Sequence, residues 1–125
     1  MCVRRLRQDE ISKFDLSAWR AAGVGAETIR ADALEEFADV LGPSGFNPGA
    51  FLACYGMAEC CLAVSFAPLD EGISIDQVDR AHLSERGAAL PVNERSGSSD
   101  IGNTNRFVNC GIPLPGVQVE VRDEL

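Results

Sequence analysis

Residues 28–45, TIRADALEEFADVLGPSG, constrain the fold of this chain more than any other stretch. Leu34, Phe37, Ala38 and Leu41 recur at intervals of three, four and seven residues, so they form one apolar stripe along a helix. Gly42 and the proline after it are typical of a helix end. The segment predicts an amphipathic helix that must bury one face against another layer.

Short apolar runs lie on both sides of this helix. Residues 19–23 favour a short strand, and residues 50–56, AFLACYG, are typical of a buried strand that ends at a glycine. Residues 61–66, CLAVSF, form another such run. Strand, helix and strand in this order predict an α/β unit with a parallel sheet. Since ligands of parallel sheets bind beyond the carboxyl ends of the strands, residues 25–27 and 55–59 are expected to form two loops on one sheet edge.

The second half of the chain has a different character. Residues 73–78 alternate as a strand does, and residues 79–90 have room for one short helix. Residues 91–106 are rich in Gly, Ser and Asn and predict a long loop. Residues 107–111 favour a short strand, residues 112–116 a turn stiffened by proline, and residues 117–121 a half-exposed strand with alternating valines.

Composition restricts the class of partner. Of the 125 residues, 46% are hydrophobic and 24% are charged, as in ordinary globular proteins. The net charge of −8 repels phosphate backbones, so we expect no nucleic-acid partner. No apolar run approaches the roughly 20 residues of a membrane helix, and the basic N-terminal stretch lacks the apolar core of a signal peptide. The expected location is the cytoplasm.

The cysteines do not have the spacing of a disulfide framework or a zinc ribbon. There are five, an odd number, and no C-x-x-C occurs. We interpret them as small buried thiols in a reducing compartment, with a metal site or a Cys–His pair involving His82 as the alternative. No Gly-x-Ser-x-Gly elbow is present to hold a nucleophilic serine. The cysteines are Cys2, Cys54, Cys60, Cys61 and Cys110.

Three blocks together resemble a known family. DLSAWRAAGVGAETIR, ACYGMAECCLAVSF and FVNCGIPLPGVQVEV are similar in order and spacing to segments of the adenylate-forming enzymes, and most of all to the fatty acyl-AMP ligases. The resemblance covers nearly the whole chain. It implies an α/β fragment of the large N-terminal domain, followed by the start of a β subdomain. The segments it implies are residues 1–69, a loop-rich insertion over 70–105, and residues 106–125.

The resemblance also implies a role for each residue of the two loops. Gly25, Ala26 and Glu27 match the segment that lines the adenine and acyl pocket. Tyr55 matches the aromatic residue that stacks on adenine, and Gly56 matches backbone beside the α-phosphate and the acyl group. Without the resemblance, a Tyr-Gly turn is most often structural and a loop glutamate such as Glu27 is most often solvated.

The remaining matches concern the phosphates and the metal. Met57 matches backbone beside the α-phosphate and acyl group, and Glu59 matches a carboxylate that binds Mg²⁺ on the ATP phosphates. Ala58 replaces the threonine that is common across the superfamily, which points to the fatty acyl-AMP ligases. Thr28 replaces a proline that is usual in that branch. A single glutamate suits Mg²⁺, which takes one or two carboxylates plus substrate phosphates.

The function implied by the resemblance is ATP-dependent activation of a fatty acid to acyl-AMP, with transfer to an acyl carrier protein or a polyketide synthase. The family's phosphate loop, ribose-binding aspartate and catalytic lysine have no counterpart in this sequence, so we predict no catalytic residue here and an inactive isolated chain. A fragment of an acyl-CoA synthetase or of a peptide-synthetase adenylation domain is one alternative. A non-catalytic domain that binds nucleotide or protein is another.

Overall fold

Two parallel strands flank the helix that the sequence predicts. The computed structural model describes residue 6, residues 8–92 and residues 103–122. A short helix α1, Gln8–Ile11, precedes strand β1, Ala22–Val24, and helix α2 spans Ala31–Leu41. Strand β2 follows at Phe51–Tyr55, and short 3-10 turns lie at Gly42–Ser44 and Pro48–Ala50 between α2 and β2. The predicted order of strand, helix and strand is confirmed, although β1 begins at Ala22, three residues later than the predicted start at Trp19.

Helix α2 buries the stripe that its sequence pattern predicts. Leu41 is 4% exposed, and Leu34, Phe37 and Ala38 pack half-buried against the core. The helix ends at Gly42, as predicted from the Gly-Pro pair. Its opposite face carries the acidic residues, so the helix separates the core from solvent in the way that its periodicity requires.

The first sheet is mixed and contains, in spatial order, β1, β2, β3 (Ser65–Phe66) and β6 (Ile112–Pro113). Strands β1 and β2 are parallel, with Ala22 opposite Phe51 and Val24 opposite Ala53. Strand β3, Ser65–Phe66, and strand β6, Ile112–Pro113, extend the sheet with antiparallel pairing. The architecture is therefore an α/β fold with a partly parallel sheet, which confirms the predicted fold class.

Aromatic rings form the centre of the core between α2 and the first sheet. Phe46 and Phe51 are each 4% exposed, and their ring centroids lie 5.0 Å apart. Phe37 and Trp19 approach Phe46 at 5.2 Å and 5.5 Å, both edge to face. Edge-to-face contacts at these distances add to the free energy gained from burying the ring area. This layer fixes the helix on the strands whose ends form the cleft described below.

A second, two-stranded sheet carries the later part of the chain. Strand β4, Ile75–Asp79, pairs antiparallel with β5, Thr104–Val108, over five residue pairs. Helix α3, Arg80–Arg86, starts directly after β4, and the carboxylate of Asp79 accepts a hydrogen bond from the backbone N–H of His82. The predicted strand and short helix are both confirmed. No helix among the described residues is long and apolar enough to cross a bilayer.

The loop predicted over residues 91–106 and the strand predicted over 117–121 need correction. Residues 93–102 lie outside the described part, but residues 104–106 belong to β5, because their backbone pairs with β4. Residues 117–122 have no regular structure, since no described strand lies beside them to supply ladder hydrogen bonds. Of the turn predicted over residues 112–116, only the end is a turn, because Ile112 and Pro113 form β6. In this turn the N–H of Val117 donates to the carbonyl of Leu114. The division at residues 69 and 105 stays a prediction.

Candidate functional site

A cleft of about 620 Å³ lies beyond the carboxyl ends of β1 and β2. One wall consists of residues 26–32 and residues 54–56, which follow β1 and close β2. The other wall consists of Arg80, residues 104–108 and Cys110, most of which belong to β5. Because β1 and β2 are parallel, their following loops meet at one edge, as the sequence predicts.

The loop after β1 packs directly on β2. A Cβ atom at Gly25 would lie 2.8 Å from both the carbonyl oxygen and the Sγ atom of Cys54, so only glycine allows this approach. Ala26 has a φ of 69°, in the left-handed region that costs a non-glycine residue about 1 kcal/mol. Gly25 therefore lies behind the cleft wall, while Ala26 and Glu27 face the cleft, with Glu27 exposed.

At the end of β2, the ring of Tyr55 lies next to a close backbone contact between Gly56 and Leu62. Tyr55 is 49% exposed and lines the cleft, so a flat ligand can reach its ring. At Gly56 a Cβ atom would lie 1.6 Å from the carbonyl oxygen of Leu62, which makes glycine obligatory at this point. The N–H of Val64 donates to the carbonyl of Tyr55 and holds the returning chain against this turn.

Met57, Ala58 and Glu59 lie on the same loop but outside the lining of this cleft. Ala58–Cys60 forms a 3-10 turn, and Met57 is 37% exposed. The carboxylate of Glu59 is exposed and has no hydrogen bond or ion pair to any described residue. The structure thus brings Ala26, Glu27, Tyr55 and Gly56 together, and places the predicted metal ligand one turn away from them.

Within the described residues, no group of three or more His, Cys, Asp or Glu side chains is arranged to hold a metal ion. A metal bound mainly by the protein would need such a group. Glu59 by itself offers two oxygens, which suits an ion whose other ligands come from a phosphate and from water.

An ion pair between α2 and β5 was not predicted from the sequence. Both terminal nitrogens of Arg106 donate to the carboxylate of Glu35, at 2.9 Å and 2.5 Å. The hydrogen bond from Arg106 holds the pKa of Glu35 below its usual value, and the same contact raises the pKa of Arg106. These two residues lie 71 positions apart and Arg106 falls in a predicted loop, so no local pattern reveals the pair.

The cysteines agree only in part with the interpretation as buried thiols. Cys54 and Cys110 are half-buried and line the cleft, and burial raises the pKa of Cys110, with a smaller contribution from Cys54. Cys60 and Cys61, expected to pack, are exposed instead. The reason is local, because the 3-10 turn of residues 58–60 projects from the sheet edge and Cys61 follows it with a φ of 54°.

Comparisons with known proteins identify relatives over nearly the whole chain. No protein-family model matches. A Caulobacter vibrioides protein provisionally named an acyl-CoA synthetase is 40% identical over 124 residues, covering 99% of this chain and 21% of that protein. The medium-chain-fatty-acid–[acyl-carrier-protein] ligase JamA of Moorena producens is 31% identical and covers 96% of this chain and 20% of its own length.

Solved structures give the same result. A structure from work on the fatty acyl-adenylate ligases of E. coli and L. pneumophila superposes with a TM-score of 0.87 at 38% identity, over 98% of this chain and 21% of the other. The homologues are fatty acyl-AMP ligases and related members of the AMP-binding superfamily. The chain spans about one fifth of the length of the first relatives it matches.

Proposed function

We propose that this chain, as a homologue of one segment of the fatty acyl-AMP ligases, forms the adenine- and metal-facing part of an adenylate-forming site. In the proposed reaction the carboxylate of a fatty acid attacks the α-phosphorus of ATP, the bond to the β-phosphate oxygen breaks, and pyrophosphate leaves. Such chemistry depends chiefly on the positioning of reactants and on charge neutralisation. The fatty-acid carboxylate, the adenine and the phosphates each need a binding surface, and this chain supplies some of these surfaces.

The observation that carries the proposal is the position of two loops on one edge of a parallel strand pair. The loops after β1 and β2 line one cleft and bring Ala26 and Glu27 beside Tyr55 and Gly56. In this arrangement Tyr55 provides the face on which adenine stacks, and Ala26 and Glu27 border the base from the neighbouring loop on the same wall. Gly56 lets the returning chain at Leu62 pack against this turn, and its own backbone lines the cleft beside Tyr55, with Met57 and Ala58 next along the same turn.

Mg²⁺ fits the donor set that the loop provides. Glu59 carries an exposed carboxylate that no described residue neutralises, one turn beyond the cleft. We propose that it binds the metal of the ATP phosphates, where Mg²⁺ shields the charge that develops on pyrophosphate. The lack of a larger ligand cluster among the described residues agrees with this role, because Mg²⁺ keeps water and phosphate oxygens as its other ligands.

We further propose that the product passes to an acyl carrier protein in the cytoplasm. A relative with 31% identity is named a medium-chain-fatty-acid–[acyl-carrier-protein] ligase, and Ala58 agrees with that branch. Transfer to coenzyme A is the second candidate, favoured by the provisional acyl-CoA synthetase name of the Caulobacter relative. Incubation of an enzyme that joins this chain to the remaining segments of a relative, with fatty acid, ATP, coenzyme A and carrier protein, distinguishes them. We expect acyl-carrier protein as the product.

A binding measurement tests the proposed site directly. We expect the 125-residue chain to bind an acyl-sulfamoyl adenosine, a stable analogue of acyl-AMP, in a calorimetric titration. Tyr55→Ala should weaken binding by about tenfold, since stacking of a base on an aromatic ring contributes roughly 1–3 kcal/mol. Phe14→Ala is the matched control, because Phe14 is similarly exposed at 45% but lies away from the cleft. Equal losses in both variants, or no binding by a folded chain, would overturn the proposal.

A second measurement tests whether the chain is active alone. The relatives are about five times longer, so we expect no fatty-acid-dependent exchange of pyrophosphate into ATP by the 125-residue chain. Clear exchange would contradict the proposal that other parts of the enzyme are needed for catalysis, while leaving the nucleotide site in place.

A further inference from the structure

Arg80 lies on the wall of the cleft opposite the adenine-facing loops. It is the first residue of α3, and its backbone is fixed because the helix is capped by the Asp79 carboxylate. Its Nε atom donates to the side-chain oxygen of Asn105, at 3.1 Å. Asn105 belongs to β5 and also lines the cleft, so a strand residue orients the guanidinium.

The three arginines of the cleft differ in how their charge is balanced. Arg106 is paired with Glu35, and Arg30 is paired with Asp32. Within the described part of the chain, Arg80 has an amide partner but no carboxylate within salt-bridge distance. A guanidinium has five N–H donors, and the contact with Asn105 uses only the one on Nε. The two terminal nitrogens keep the fork that binds phosphate or carboxylate in a bidentate manner.

Arg80 thus carries a positive charge with no ion-pair partner among the described residues, in a protein with a net charge of −8. Of the acidic side chains on the opposite wall, Asp32 is paired with Arg30, and Glu27 makes no ion pair with Arg80. A cation that is oriented by a neutral partner at a cleft wall favours an anionic group on the ligand that fills the cleft. Among the parts of an adenine nucleotide, only the phosphate carries such a charge.

We propose that Arg80, oriented by Asn105, contacts the phosphate of a nucleotide bound in this cleft. The proposal rests on the function proposed above, and it adds a residue from the second sheet to a site otherwise built from the ends of β1 and β2. It makes the second sheet part of ligand binding rather than a neighbour of the site.

A pair of ligands that differ only in the phosphate tests the proposal. We expect the 125-residue chain to bind AMP more tightly than adenosine in calorimetric titrations. Arg80→Gln should reduce the affinity for AMP by about tenfold and leave the affinity for adenosine unchanged, because a hydrogen bond to a charged group is lost only with AMP. Asn105→Ala should give a smaller loss for AMP alone. Arg86→Gln, at the end of the same helix and outside the cleft, should change neither affinity.

The outcomes separate this proposal from the proposed function. If adenosine binds but AMP binds no more tightly, or if Arg80→Gln keeps the preference for AMP, the role of Arg80 is overturned and the adenine site stands. If a folded chain binds neither ligand, both are overturned. Circular dichroism of each variant establishes that a loss of affinity does not come from a loss of fold. The expected preference for AMP should also weaken as salt concentration rises.

Discussion

The two sheets of this molecule are held in place by different kinds of interaction. In the first, the buried rings Phe46 and Phe51 join α2 to the strands. In the second, Val78 is the only buried residue of either strand, and Phe107 is 49% exposed. The second sheet reaches α2 through the surface ion pair of Arg106 with Glu35. Apolar packing stabilises one wall of the cleft, whereas backbone pairing and polar contacts hold the other.

This difference suggests how the two walls behave when a ligand binds. Buried apolar contacts make opening of a region costly, whereas regions with few of them open at low free energy. The loops after β1 and β2 therefore offer a preformed surface for the ligand that we propose. The wall formed by β5 and Arg80 is the part whose position is least strongly fixed, and changes in the two walls should have unequal effects on stability.

The largest expected effect comes from removing a ring of the first layer. Phe46→Ala should lower the free energy of unfolding by about 3–5 kcal/mol, because Phe46 is 4% exposed and contacts three other aromatic rings. Phe107→Ala, the matched change in the second sheet, should cost about 0.5 kcal/mol. Urea unfolding followed by circular dichroism measures both. Similar costs for the two phenylalanines would contradict the conclusion that apolar packing stabilises the first sheet far more than the second.

A second pair of variants contrasts steric and conformational costs at glycine. Gly56→Ala should destabilise the protein by about 2–3 kcal/mol, because the new Cβ would lie 1.6 Å from the carbonyl oxygen of Leu62. Gly87→Ala, at the end of α3, should cost about 1 kcal/mol, since its φ of 64° is unfavourable but nothing lies within 4 Å of the added atom. The same unfolding experiment would contradict us if Gly56→Ala were the milder variant.

Loss of the cap of α3 should have a smaller effect. Asp79→Ala removes the acceptor for the N–H of His82 and should cost about 1 kcal/mol of stability. Asp79→Asn keeps an acceptor at the same position and serves as the control. Thermal unfolding of the two variants should separate them, and if the alanine variant were as stable as the asparagine one, the helix start would not depend on this side chain.

The smallest effect is expected at the ion pair between the two regions. The contact with Arg106 lowers the pKa of Glu35 in the folded state, so the stabilisation is present above the unfolded value of about 4.3 and is lost as pH falls through the lower, folded pKa. Because both side chains are partly exposed, Glu35→Gln should cost only about 0.5 kcal/mol at pH 7.

The pH dependence provides the check on this pair. The difference in unfolding free energy between wild type and Glu35→Gln should shrink toward zero below pH 4, as measured by urea unfolding across pH. Glu120→Gln is the control, because its partner Arg122 is only two residues away and both are well exposed. A difference of several kcal/mol at Glu35 would show that the second sheet is anchored far more strongly than its surface position implies.

Much of the first region could be predicted from the sequence. The stripe of Leu34, Phe37, Ala38 and Leu41 predicts α2, and the apolar run before Tyr55 predicts β2, because periodicity and burial are local properties of a chain. The position of Ala26, Glu27, Tyr55 and Gly56 around one cleft followed from the parallel order of the strands. Their proposed functional roles came from the family resemblance instead.

The α/β class, the helix, the parallel strand pair and the meeting of two loops at one edge all follow from local patterns in the sequence. The second wall of the cleft becomes apparent only in the folded structure, because Arg80, Asn105 and Arg106 come from segments that the sequence predicts to be a short helix and a long loop. The same holds for the absence of a strand over residues 117–122 and for the exposure of Cys60 and Cys61. Strand pairing, ion pairs and exposure depend on neighbours far away along the chain, which no local pattern of residues contains.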